Sequence, residues 1–366
     1  MSDITPTDEQ TKAIRLIAIW FKSRPRTPFI LGGYAGVGKS TIIPFIVDFL
    51  KLEQHQVHFC AYTGKASLVL RKKEMLGATT IHRLVYIPYT DAEGKLKFKR
   101  NPAVSNELRL IIVDEASTVD TKLKTDLESY GIPVLYIGDC FQLPPVSKDQ
   151  TNLMSKPNFI LTEVHRQAAD NPIIQVAHMI RNNKYVKFGR YGETFLRAKR
   201  TKLHDEWLLN ASQIICGRND TRNFLNRQIR RTAGTTEKYP VVGDKLICLK
   251  NNHDLGLING MLGSCEAFDP KTWNLTFKND DEEVWNYLNI EPDIFADTKI
   301  EIKYHKEIDQ FDFGYVITCH KAQGSEFDNV LVFEETLGRD EEMHRRWLYT
   351  AITRASSRLI LIGTDE

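Results

Sequence analysis

GYAGVGKS, residues Gly33–Ser40, decides how this chain is read. Its glycine, four residues, glycine, lysine and serine have the spacing of a phosphate-binding loop. The glycines let backbone N–H groups wrap anionic oxygens, and the helix that follows adds a positive dipole end. Lys39 reaches the outer phosphates, and the Ser40 hydroxyl suits Mg²⁺. The surroundings agree, since Thr27–Leu31 reads as a strand and Lys39–Lys51 as a helix. Pro44 removes a backbone N–H near the start of that helix and predicts local irregularity there.

Further along, VDEAS at Val113–Ser117 follows the apolar strand Leu108–Val113. Two acids at the carboxyl end of a buried strand suit a pair in which Asp114 holds Mg²⁺ and Glu115 orients and deprotonates an attacking water. The plainer reading is two exposed acids that end a strand. GDCFQLPPV at Gly138–Val146 ends the next apolar strand, Val134–Ile137. There Gln142, on a loop stiffened by two prolines, is placed to bond a γ-phosphate or the water beside it. Arg166 in LTEVHRQ and Arg354 in YTAITRA are candidate cationic fingers, because phosphoryl transfer needs charge on the departing group and a guanidinium supplies it.

The first half alternates strand and helix, with Gln56–Tyr62 a strand and Lys65–Lys73 a helix, which argues for a parallel sheet with helices on both faces. Val85–Lys99 breaks the alternation and reads as a β-hairpin around the turn cluster Asp91-Ala92-Glu93-Gly94. Residues 239–311 read as a small β-barrel-like insertion, with strands at Val241–Lys250, Gly263–Phe268, Trp273–Phe277 and Thr298–Tyr304. Around it, Gln213–Cys216, Tyr315–Thr318, Asn329–Phe333 and Leu359–Gly363 supply strands of a second α/β domain.

The 366 residues are 42% hydrophobic and 26% charged, enough for two ordinary domains. No apolar run is long enough to span a membrane, and the polar start MSDITPTDEQ is not a signal peptide. The six scattered cysteines form no CxxC pair and predict reduced thiols in a cytoplasmic protein. A net charge of +2 neither requires nor excludes nucleic acid. Local basic runs exist at Arg71-Lys72-Lys73, at Lys95, Lys97, Lys99 and Arg100, and at Arg227, Arg230 and Arg231. Each is more commonly a solvated face.

Taken in order, these motifs resemble those of superfamily 1 helicases. GYAGVGKST, AYTGKAS, TTIHRL, VDEAS, IGDCFQLPPV, LTEVHRQ, TCHKAQGSEFD and LYTAITRA stand in family order. QLPPV and HKAQG are similar to the superfamily 1B branch that includes RecD and the phage Dda helicase. The resemblance implies an α/β chain with two RecA-like parallel-sheet domains, one at 1–83 with 102–180 and the other at 181–238 with 312–366. It places a β-hairpin pin at 84–101 and a small SH3-like β subdomain at 239–311. ATP and Mg²⁺ would be the cofactors.

Nucleotide contacts carried over are Gln10, Gly33, Gly36, Gly38, Lys39, Ser40, Thr41, Gln323, Gly324 and Glu326, with Ser40 and Asp114 on the metal. Lys39, Glu115, Gln142, Arg166 and Arg354 would be catalytic. DNA contacts would be Thr63, Lys65, Thr80, His82, Thr318, His320 and Lys321. Phe98 either stacks on a base or packs on its own domain. The expected function is an ATP-driven 5′→3′ translocase and DNA helicase. It would act as a monomer on single-stranded DNA and on forked or tailed duplex, beside single-strand-binding, replication or recombination proteins. Replication, recombination and repair are the transactions such a motor serves. The rivals are an ATP-switched single-strand-binding protein with little unwinding, suggested by an insertion shorter than that of Dda, and an RNA-directed motor.

Overall fold

A computed structural model describes residues 5–90, 96–102, 104–145, 152–252, 254–296, 308–337 and 340–363, without the side chains of residues 88, 90, 96, 166 and 167. The chain divides into two compact units, Met1–Gln175 and Val176–Glu366.

The strands of the first unit are β1 (Phe29–Gly33), β2 (Val57–Ala61), β3 (Thr79–Thr80), β4 (Tyr86–Thr90), β5 (Leu96–Arg100), β6 (Leu110–Asp114), β7 (Val134–Asp139) and β8 (Phe159–Leu161). Six of them form one sheet in the order β3-β2-β6-β7-β1-β8, with every pair parallel. The central strands are apolar on both faces because helices cover both. Leu110 and Ile112 pack on the side of helices Asp8–Lys22, Ile43–Leu50 and Gly64–Lys72. Ile111 and Val113 pack on the side of helices Ile81–Val85 and Thr121–Glu128. Each fully buried aliphatic side chain contributes about 1.5–3 kcal/mol, so this two-sided burial fixes the sheet.

The hairpin β4–β5 stands outside that sheet, pairing Ile87 with Lys99 and Tyr89 with Lys97. Its foot is tied down: the Tyr86 hydroxyl donates to Asp126, Arg100 donates to the Ser129 hydroxyl, and the Tyr130 hydroxyl donates to the carbonyls of Val85 (3.2 Å) and Asn101 (2.8 Å). The expected turn at 91–94 lies outside the described residues.

The second unit opens with β9 (Gly189–Tyr191), β10 (Phe195–Lys199) and β11 (Gln213–Cys216). Next come β12 (Lys245–Cys248), β13 (Leu262–Asp269), β14 (Asn274–Asn279), β15 (Val284–Asn289) and β16 (Phe311–Phe313). It closes with β17 (Val316–Thr318), β18 (Phe327–Phe333) and β19 (Ala355–Gly363). Its main sheet runs β17-β11-β18-β19-β10-β9, parallel except at β9. The strands between form a five-stranded antiparallel sheet, β15-β14-β13-β12-β16, around Phe277, Phe311 and Phe313. A Cβ at Gly263 would stand 2.0 Å from the Lys278 carbonyl oxygen, so only glycine lets β13 and β14 meet there. The strand expected at Thr298–Tyr304 falls outside the described residues.

Two carboxylates organise this unit. Glu335, just past β18, accepts from the backbone N–H groups of Gly217 (2.5 Å) and Arg218 (3.1 Å) and from the Thr221 hydroxyl (2.5 Å). It thereby places an anion at the N-terminus of helix Asn219–Thr232, where the helix dipole favours one. At the other end of that helix, Arg230 does not belong to a solvated basic run. It is buried with Asp244: Nε donates to Oδ1 at 2.9 Å and Nη2 to Oδ2 at 2.9 Å. Nη1 and Nη2 also reach the carbonyls of Glu237 and Tyr239, and the guanidinium carbon lies 4.0 Å from the Phe313 ring centre. Tyr315 donates to the same Asp244 at 2.9 Å. This pair fastens the antiparallel sheet to the helix beside the parallel one.

Removing one partner leaves a buried charge, so Asp244→Ala is expected to cost about 3–5 kcal/mol of stability, while an Arg230→Met/Asp244→Leu double substitution recovers most of it. Urea denaturation followed by circular dichroism measures both. Equal losses for the single and double variants would contradict this account.

Candidate nucleotide and nucleic-acid site

In a parallel sheet all carboxyl ends share one edge, and the loops that leave it are the ordinary ligand-binding position of α/β folds. Register places the expected residues there. Gly33 pairs with Asp139 and with Leu161, and Ala61 pairs with Asp114 and with Thr80. The loops leaving this edge carry Thr63, Glu115, Gln142, the Gly33–Ser40 loop and the segment ending at Arg166.

The loop after β1 has the shape its glycines permit. Gly36 and Gly38 lie in the left-handed region, at φ of 81° and 73°. A Cβ on Gly38 would approach His165 Nε2 to 2.6 Å and Gln10 Nε2 to 2.7 Å. Beyond the loop the chain makes a 3₁₀ turn, Ser40–Ile42, before helix Ile43–Leu50 begins. Pro44 therefore sits in the first helical turn, where its missing N–H has no intrahelical partner to lose. The expected irregularity is confined to that start. Thr41 is exposed, and its N–H donates to the Gly38 carbonyl at 3.1 Å.

Ser40 Oγ donates to Asp114 Oδ2 at 2.7 Å. A hydroxyl and a carboxylate held this close, at the mouth of a backbone cradle, are the oxygen donors a magnesium ion takes. Lys39 Nζ donates to the Tyr34 carbonyl at 2.8 Å and lies 3.6 Å from Asp139 Oδ2, whose side chain is almost wholly buried. Glu115 is half-buried with φ of 52°, a left-handed conformation that costs a residue with a Cβ about 1 kcal/mol or more. Its backbone N–H donates to Asp114 Oδ1 at 2.9 Å, so one carboxylate braces the next residue. Gln142 is buried, and its Oε1 accepts from Ser117 Oγ at 3.3 Å.

Gln10 arrives from the N-terminal helix. Thr7 caps that helix and forms a reciprocal box with Gln10, whose Oε1 accepts the Thr7 N–H at 3.1 Å. The same amide donates from Nε2 to the Val37 carbonyl at 3.0 Å and lies 2.7 Å from His165 Nε2. Asp139 and His165 are the loop partners that motif reading passed over, although both lie inside quoted motifs. Glu9 is a third: its carboxylate accepts from the Thr162 and Glu163 N–H groups and from Thr162 Oγ1, each at 2.8 Å. Arg166 opens the short helix Arg166–Ala169, and its side chain is outside the described residues.

Thr63 and Thr80 cap the helices that follow β2 and β3, accepting from Ala66 N and Arg83 N at 3.2 Å each. Lys65 is half-buried on the first of these helices. His82 is exposed, with ring-centre distances of 5.8 Å to Tyr62 and 5.7 Å to Tyr86. An aromatic row thus leads from the sheet edge to the foot of the hairpin. On the hairpin, Phe98 is 56% exposed.

Within the second unit, Thr318 ends β17 and His320 beyond it is exposed. Lys321 Nζ donates to Asn259 Oδ1 at 3.4 Å. Burial and the neighbouring Arg222 lower the Lys321 pKa, with Asp312 acting in the opposite direction. Gln323 is buried, Gly324 is left-handed at φ 72° and Glu326 is exposed. Arg354 is buried with three neutral acceptors, the carbonyls of Thr350 (3.1 Å) and Ser325 (3.3 Å) and the Thr353 hydroxyl (3.3 Å). Its own carbonyl accepts the Phe327 N–H at 2.8 Å. Arg354 is therefore bound to the segment carrying Gln323 and Gly324.

Residues 5–194 match the AAA domain, and residues 313–362 match the UvrD-like helicase C-terminal domain. The chain belongs to the AAA domain family. It is 29% identical over 360 residues to the ATP-dependent RecD2 DNA helicase of Deinococcus radiodurans, covering 92% of this chain and 47% of that protein. It is 29% identical over 269 residues to the ATP-dependent DNA helicase dda of Enterobacteria phage T4, covering 66% of this chain and 60% of the phage protein. The chain thus spans about half the length of the curated relatives it matches. In fold it is similar to the Pif1 helicase from Bacteroides in complex with ADP-AlF3 and ssDNA. That likeness has a TM-score of 0.59 and 19% identity, and covers 100% of this chain and 93% of the other. No helix among the described residues is long and apolar enough to cross a membrane.

The cradle predicts a sharp sensitivity at its tightest glycine. Gly38→Ala adds a Cβ at positive φ against His165 and Gln10, so it is expected to lower stability by more than about 1 kcal/mol and to abolish nucleotide binding. Thermal denaturation and titration with a fluorescent ATP analogue measure the two effects. Undiminished binding would show that the loop is not the phosphate site.

Proposed function

We propose that this chain is an ATP-driven DNA helicase that moves 5′→3′ along single-stranded DNA and separates a duplex at its β4–β5 hairpin. The observation that carries the reading is the carboxyl edge of the first sheet. There a left-handed glycine loop meets Asp114 through Ser40, and an aromatic row runs from the same edge to a hairpin with an exposed Phe98. The AAA and UvrD-like C-terminal matches support it, as do relatives described as ATP-dependent DNA helicases. The Pif1 complex with ADP-AlF3 and ssDNA favours ATP and DNA as ligands of this fold.

In this reading the loop N–H groups bind the polyphosphate, and Lys39 leaves Tyr34 and Asp139 for its outer oxygens. Ser40 Oγ and Asp114 would hold Mg²⁺, which would offset negative charge on the phosphates. The Glu115 carboxylate orients the attacking water and takes its proton. Gln142 contacts the terminal phosphate, and Arg166 and Arg354 supply positive charge to the departing group. Because Arg354 is hydrogen-bonded to Ser325, a shift of Arg354 on hydrolysis is transmitted to Gln323 and Gly324 and on to Thr318, His320 and Lys321, the proposed DNA contacts of the second unit. Thr63, Lys65, Thr80 and His82 would hold the strand on the first. Each nucleotide state then favours a different grip on DNA, and cycling between them steps the strand.

The primary test is ATP hydrolysis with and without an unstructured DNA oligonucleotide and an equivalent RNA. Strong stimulation by DNA alone is expected, and it should disappear in Lys39→Ala. Equal rates with and without nucleic acid would overturn the reading. Phe98→Ala is expected to lower strand displacement on a 5′-tailed duplex by about tenfold while leaving DNA-stimulated hydrolysis near normal, since one base–aromatic stack is worth about 1–3 kcal/mol. Unchanged displacement would remove the hairpin from the mechanism.

A further inference from the structure

Lys321 has neighbours from both sheets of the second unit. It belongs to the short helix Cys319–Ala322 that follows β17, and it is half-buried. Its Nζ donates at 3.4 Å to Oδ1 of Asn259, in the turn between β12 and β13. That turn is itself pinned, since the Asn259 N–H donates to Asn251 Oδ1 at 2.7 Å. Asp312 of β16 is 8% exposed and pairs with Arg222 of helix Asn219–Thr232, Nη2 to Oδ2 at 3.0 Å. Its Oδ1 accepts the Phe313 N–H at 2.8 Å, so both carboxylate oxygens are engaged. Arg222 is held in turn by Asn223 Oδ1, which accepts from Nε at 3.2 Å and from Nη2 at 2.8 Å.

Two cations, Arg222 and Lys321, are thus served by one carboxylate. They do not compete on equal terms. A guanidinium keeps its charge wherever it stands, whereas a desolvated ammonium beside a like charge is pushed toward the neutral amine. Burial and Arg222 both press Lys321 that way, and Asp312 presses back. The other groups nearby do not alter this balance. Burial pushes the Cys248 thiol on β12 up to about 12, and burial lowers the His320 pKa, so both are uncharged above neutral pH. Arg227, on the helix of Arg222, acts on Asp312 and adds positive charge.

We infer that Asp312 is a positioning residue for the proposed grip on DNA: from the antiparallel sheet it holds Lys321 as an ammonium beside Arg222, while Asn259 fixes where that ammonium stands. The inference rests on the reading of Lys321 as a DNA contact. Phosphate is bound by charge, so a neutral amine at this position would forfeit its contact with no change in fold. The inserted strands then serve the grip through the charge they place at its base.

The test is equilibrium binding of an unstructured DNA oligonucleotide by the full chain, measured against salt concentration from about pH 7 to about pH 10, which lies above ordinary histidine titration and approaches that of lysine. Each phosphate neutralised on a single strand adds about 0.7 to the slope of log affinity against log salt. Lys321→Ala is expected to lack that share at every pH. In the wild type the share disappears as pH rises through the Lys321 pKa. Asp312→Asn should lose it at lower pH than the wild type, and Arg222→Gln at higher pH. Asp312→Asn/Lys321→Arg should keep it throughout, because a guanidinium does not titrate in this range. A purely structural role for Asp312 would produce neither the opposite shifts nor the rescue by arginine.

Profiles of Asp312→Asn and Arg222→Gln that coincide with the wild type, beside a reduced slope in Lys321→Ala, would overturn the inference and leave Lys321 as a DNA contact. A wild-type slope in Lys321→Ala at every pH would overturn the inference and that reading together. Where Asp312→Asn folds poorly, Arg222→Gln carries the test. A profile in it that stays in place or moves to lower pH would equally count against Asp312.

Discussion

Parallel register in the first unit is the constraint on which everything else depends. Because β1, β2, β3, β6, β7 and β8 all run one way, Gly33, Asp139, Asp114, Ala61 and Thr80 end at one edge without any of them being near another in sequence. Two-sided burial holds that register, since a one-residue slip of β6 would exchange the sides on which Ile112 and Val113 pack. The site is therefore a by-product of the core. Its precision comes from strands whose apolar residues are buried between helices.

At that edge the structure tolerates conformations that a purely stabilising design would avoid. Glu115 is left-handed with a full side chain, and Gly36 and Gly38 are left-handed within a loop packed against Ala168 and His165. Such positions persist only where neighbours over-determine them. Here the neighbours are identifiable: Asp114 braces Glu115, and Gln10 and His165 close over Gly38. In the second unit the comparable device is Arg354, whose guanidinium is held by carbonyl and hydroxyl oxygens.

How much of this was legible in the sequence depended on whether the signal was local. The doubly covered sheets could be read because strand-and-helix alternation and strongly apolar runs such as Leu108–Val113 are local patterns. So could the motif that places Ser40 near Asp114, because glycine spacing and a strand-ending acid are local too. Long-range hydrogen bonds could not. Nothing around Glu9 announces that its carboxylate will bind backbone N–H groups at 162 and 163, and nothing around His165 announces its contact with Gln10. Strand β15 escaped because only Leu288 in it is buried, which leaves almost no alternation to detect. Arg230 was misleading for the opposite reason: three nearby arginines suggest a basic surface, yet the helix turns this one inward to Asp244.

Glu335 carries a consequence for the second half of the chain. There, too, a parallel strand, β11, runs through a glycine into a helix, and the N–H groups of Gly217 and Arg218 just before that helix gather around negative oxygen. The oxygen, however, belongs to the protein. A charge covalently attached to the fold cannot dissociate, exchange or be hydrolysed, so the anion at this turn is a permanent part of the protein. In the function proposed above the first loop takes its anion from solution, while this turn carries its own as part of the chain.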